Sequence, residues 1–108
     1  MSYIIYTTED LTGILKEKAR EISLIMGESF LEQAEQNLIN IGDKSVAELA
    51  SQMHIGLLST VGNKLQNLFP EASFCSIARL AQRVILTFIK TSQDLYIKEF
   101  TKEKNEFN

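Results

Sequence analysis

The chain has 108 residues, 44 % of them apolar, with one proline, five glycines and a net charge of −3 from 14 acids and 11 bases. That allows one domain spanning 1–108 with a single core; it is too apolar for a disordered segment, and its mild acidity disfavours phosphate-backbone binding without excluding it. A single cysteine, Cys75, leaves no internal disulfide and fits a reducing, cytoplasmic setting.

The start, Met1-Ser2-Tyr3-Ile4-Ile5-Tyr6, lacks both the basic flank and the long apolar run of a signal peptide. Residues 1–8 read as an apolar arm that packs on the helices or on a partner, because no second strand-like run exists to pair with it. Thr7 or Thr8 caps a first helix that carries Glu9 and Asp10 in its opening turn, where the helix dipole favours acids. Leu11, Ile14, Leu15, Ile22, Ile25 and Met26 follow at spacings of three and four. Gly27 is the expected turn, with an unbroken helix as the alternative, since one interior glycine costs only about 1 kcal/mol. Phe30, Leu31, Ala34, Leu38 and Ile41 then define a second helix closed by Gly42-Asp43.

Ser45-Val46-Ala47-Glu48 matches a capping box and opens a third helix, striped by Val46, Leu49, Ala50, Met53, Leu57, Val61, Leu65 and Leu68. Phe69-Pro70 ends it, because proline disfavours helix for the residue before it. A fourth helix is expected from about Glu71 to Phe100, with Phe74, Ala78, Ala81, Ile85, Phe88, Leu95 and Tyr96 as its main stripe. Its most apolar part, Ile77 to Ile89, is far shorter than the roughly 20 residues a membrane helix requires. Leu80, Val84, Leu86 and Ile89 widen that stripe well round the helix. A helix at the edge of a small bundle needs only one apolar face, so this one is either central or covered by another chain. The second option is preferred. The expectation is an all-α four-helix bundle that dimerises through its long C-terminal helix, followed by a frayed polar tail, 101–108.

Catalytic equipment is sparse. His54, the only histidine, borders the third helix's stripe and reads first as a bundle histidine, second as part of a partner surface. A phosphotransfer role for His54 is disfavoured because Leu57 and Leu58 stand where small or cationic residues would serve a phosphoryl group. A helix-turn-helix over residues 45–68, turning at His54-Ile55-Gly56, would offer DNA only Lys64 as a cation. One histidine and one cysteine do not fill a closed zinc site. Cys75 reads as a small core hydrophobe, and Glu32, Glu35 and Glu48 as solvated faces and a cap. No glycine-rich phosphate loop is present. No cofactor and no metal is expected.

From about Phe30 to Tyr96 the order of features resembles the N-terminal regulatory domain of the phosphatase RsbU, whose fold is shared by the C-terminal domain of the clock protein KaiA. Phe30-Leu31-Glu32-Gln33-Ala34-Glu35-Gln36 forms one helix ending near Gly42, a capped helix arrives at Met53-His54, and a long final helix closes with an aromatic. Gly42-Asp43-Lys44-Ser45 replaces the proline frequent in that family. The resemblance implies a non-catalytic helical homodimer that binds a signalling kinase, phosphatase or switch protein, with nucleic acid and membrane outside its partners. It places His54, Leu57 and Leu58 near the partner or dimer surface, to which the wide stripe adds Leu80, Val84 and Ile89.

Overall fold

The computed structural model describes residues 3–37 and 45–106, with side chains of the last helix described as far as Asp94. Among the described residues five helices follow one another: α1 (Thr8–Glu17), α2 (Ala19–Gln36), α3 (Val46–Gln52), α4 (His54–Leu68) and α5 (Phe74–Glu106). The all-α expectation holds; five helices stand where four were expected. The close of the second helix at Leu38, Ile41 and Gly42-Asp43 lies outside the described residues, as do the side chains of Leu95 and Tyr96.

Local chemistry explains most helix ends. Thr7 is the N-cap of α1: its hydroxyl accepts from the Asp10 amide at 3.1 Å, and the Asp10 carboxylate accepts from the Thr7 amide at 2.8 Å. Ser45 caps α3 by accepting from the Glu48 amide. Phe69 closes α4, its amide donating to the Leu65 carbonyl. Pro70 and Glu71 form a turn rather than the first turn of α5, which starts three residues later than expected. There the Ser73 hydroxyl accepts from the Ser76 amide. α5 continues past Phe100 to Glu106.

Two breaks fall elsewhere than the sequence suggests. α2 runs straight through Gly27, and the interruption lies at Lys18, a single residue at φ −108°, ψ 21°. Burial of Ile22, Met26, Phe30 and Ala34 on one side of α2 outweighs the small helix penalty of one glycine. The second interruption is Met53, at φ −94°, ψ 13°. At both breaks the backbone bonds of Lys18, Ile22, Met53 and Leu57 still run to residues four back, so each is a local kink.

One apolar cluster draws on every helix: Leu11, Met26, Phe30, Leu49, Leu57, Val61, Leu65, Leu80 and Ile85 are among its members. α4 packs against both α2 and α5, and α3 packs against α5. Phe30 meets Phe88 with ring centroids 5.6 Å apart, and Tyr6 meets Phe69 edge-on at 6.5 Å. The α2–α4 crossing contains a polar element. Gln33, buried, donates to the Thr60 hydroxyl at 2.8 Å, and a Cβ placed on Gly56 would run into the Gln33 amide. Glycine at 56 is therefore what lets the amide fit.

Gly27 has open space where its Cβ would be. Gly27→Ala is expected to stabilise the fold by about 0.5–1 kcal/mol, whereas at Gly56 the same gain is offset by moving the Gln33 amide off Thr60, so Gly56→Ala should be the less stable of the two. Urea midpoints of the two variants check the order.

Candidate interaction surface

The sequence-based surface is not where the chain leaves apolar groups free. Leu57 and Leu80 are fully buried and Val84 nearly so, all three in the chain's own core. Ile89 and Leu58 are partly buried against the same cluster, and His54, at the first position of α4, is half-buried. The wide apolar arc of α5 arises because α5 is central: of the four residues that widen it, only Leu86 is exposed.

Other placements change as well. Phe74 and Ala78, expected in the stripe, face outward, and Ile77 and Leu80 take the inward positions. Val46 and Leu31, also expected on inward stripes, are exposed. Cys75 is exposed rather than a core hydrophobe. Glu32, Glu35 and Glu48 lie on exposed faces as expected. The residues His54-Ile55-Gly56 are helical, so the turn a helix-turn-helix would need there does not form. Lys64, its one cation, pairs with Glu32 at 3.3 Å and Glu28 at 3.7 Å. Among the described residues no group of three metal-ligating side chains converges, and no helix is long and apolar enough to cross a membrane.

What the fold does expose lies where the N-terminal arm crosses the connection between α4 and α5. The arm makes one parallel bridge, Ile4 to Ala72. The Ile4 amide donates to the Glu71 carbonyl and the Ser73 amide donates to the Ile4 carbonyl, each at 2.8 Å. The Tyr6 amide donates to the Ser76 hydroxyl at 2.9 Å, and the Tyr6 hydroxyl donates to Glu71 at 3.0 Å. Partial burial, then Glu71 and Asp10, push the Tyr6 phenol above its ordinary value. From α5, Arg79 donates to the Tyr6 carbonyl and the Thr8 hydroxyl. Arg83 donates to the Thr8 carbonyl and the Thr12 hydroxyl. These two guanidinium forks strap α1 and the arm to α5.

So fixed, the arm presents Tyr3, 58 % exposed, beside Phe74, 81 % exposed. Both line a cleft of about 550 Å³ with Pro70, Gln66 and Asn67. Gln66 forms part of its floor while donating to the Phe69 and Ala72 carbonyls. The cleft thus sets two exposed aromatics beside the side-chain amides of Gln66 and Asn67. Periodicity gave no sign of this cleft, because the exposure of Phe74 depends on one N-cap and that of Tyr3 on one bridge.

No protein-family model matches the chain, and no curated protein and no solved structure matches it.

Two outcomes follow from this placement. Cys75 should react stoichiometrically with a thiol reagent in the native protein without denaturant, as a buried thiol would not; Ellman titration measures it. The hydrogen bonds with Thr7 hold the Asp10 carboxyl below its ordinary value of 3.8. A lowered folded value means stability that is fully present above 3.8 and lost as pH falls through the folded value. Asp10→Asn should therefore lose less stability than the parent chain between neutral pH and the acid end of that range, read as urea midpoints.

Proposed function

We propose that this chain is a non-catalytic regulatory domain that acts by binding another protein, and that it does so as a homodimer. The observation that carries this reading is the exposed pair Tyr3 and Phe74 around Pro70, held open by a bridge and two arginine straps. Exposed aromatics in a fixed cleft bury large area at little cost in conformational freedom. Phe74 is also the first residue of the long C-terminal helix, so the dimer contact lies at that helix's outer start rather than on Leu80 and Val84.

The sequence resemblance to the RsbU and KaiA regulatory domains supports the same class of activity: a helical module that contacts a signalling kinase, phosphatase or switch protein. The DNA-binding alternative loses its turn at His54-Ile55-Gly56 and its cation at Lys64. The phosphotransfer alternative places a half-buried His54 ahead of Leu57 and Leu58.

Sedimentation tests the reading. The parent chain should sediment as a dimer at about 10 μM, and Phe74→Ser should shift it towards monomer with unchanged circular dichroism. A parent chain that stays monomeric at about 100 μM would sink the dimer.

A further inference from the structure

The outward face of α2 leaves two large apolar side chains exposed. Leu24 and Leu31 lie seven residues, two turns, apart and are each 61 % exposed. Around them stand Glu21, Glu28, Glu32 and Glu35, and no base occurs between Glu21 and Gln36. This charge pattern works against the helix. Glu28 and Glu32 are like charges one turn apart, Glu35 lies in the last turn where the dipole disfavours an acid, and no base stands in that turn. Among the described residues, Lys64 reaches across from α4 to Glu28 and Glu32, an exposed bridge that offsets little.

The same helix borders an apolar groove of about 370 Å³ against α5, walled by Ile22, Met26, Val84 and Phe88. Gly27 lines the groove with nothing within 4 Å of where its Cβ would be, so the backbone is open to close approach beside Leu24. Among the described residues no charged side chain lines the groove. An apolar seam flanked by four acids, of which Glu28 and Glu32 share the one base Lys64, is complementary in both respects to one kind of occupant.

We propose that α2 docks a basic amphipathic helix of a partner protein. Its apolar side chains lie on Leu24 and Leu31 and enter the groove beside Gly27, while its lysines or arginines face Glu21, Glu28 and Glu35. This deepens the reading of the chain as an interaction domain by naming the partner's chemistry. It uses a different surface from the Tyr3–Phe74 cleft, so the two fail separately.

The test is fluorescence anisotropy with a labelled designed peptide of about 18 residues, five turns, with leucine on one face and lysine on the other, in about 0.15 M salt. The peptide should bind saturably. The Leu24→Gln, Leu31→Gln double variant, and separately a scrambled peptide of equal composition, should each bind at least about tenfold more weakly. Glu28→Gln with Glu35→Gln should weaken binding and flatten its salt dependence, while Phe74→Ser should leave it unchanged. All substituted positions are exposed, and matching thermal melts confirm folding. Equal binding of the scrambled peptide, retained affinity in the leucine double variant, or no binding by the parent chain up to about 100 μM would each overturn the proposal.

Discussion

Everything else in this molecule is arranged around the need to cover α5. Its inward positions, Ile77, Leu80, Ala81, Val84 and Ile85, are all buried, and they fall at the three- and four-residue spacing of one continuous apolar face. α2, α3 and α4 all pack against that helix, and α1 is tied to it through arginines. A short chain thus covers a broad apolar helix with its own segments. The kinks at Lys18 and Met53 fit this constraint, because each divides a long rod into two pieces that follow different parts of the α5 surface.

Polar groups do the finer positioning. Arg79 and Arg83 interrupt the apolar run of α5 in the sequence, yet they are what holds the arm and α1 in place. Gln33 plays the corresponding part between α2 and α4, where its amide needs both the Thr60 hydroxyl and the missing side chain of Gly56. Hydrogen bonds of this kind contribute modestly each, and losing one partner inside the packed crossing costs more than the bond itself. They specify how the helices meet more than they hold them together.

Much of the helical framework was legible in the residues. The Thr7 and Ser45 caps, the end of α4 before Pro70, and the buried series Leu49, Met53, Leu57, Val61 and Leu65 follow from capping chemistry and helical spacing. The breaks were not legible. Nothing in Lys16-Glu17-Lys18-Ala19-Arg20 marks an interruption, whereas Gly27 does so misleadingly, because propensity is weak beside burial. The phase of α5 was legible at Ala81, Ile85 and Phe88, which lie inward as expected, but not at its start, where Phe74, Cys75 and Ala78 face outward and Leu80 and Val84 lie inward with the main stripe. Leu80 and Val84, expected on a partner or dimer surface, lie in the chain's own core. Leu24 stood out of phase with Ile22 and Met26 from the beginning, and that mismatch was the available sign of an outward apolar face.

The bridge between Ile4 and Ala72 has a consequence for how the chain reaches its fold. The bonds that seat the arm join residues about 70 apart in sequence, while helix pairing elsewhere joins nearer segments. Closing so long a loop carries an entropic penalty that shorter closures avoid, and non-local contacts slow folding. The arm precedes residues 71–83 in the chain, so the bonds that seat it against Glu71, Ser73, Ser76 and Arg79 form only once those residues have been made.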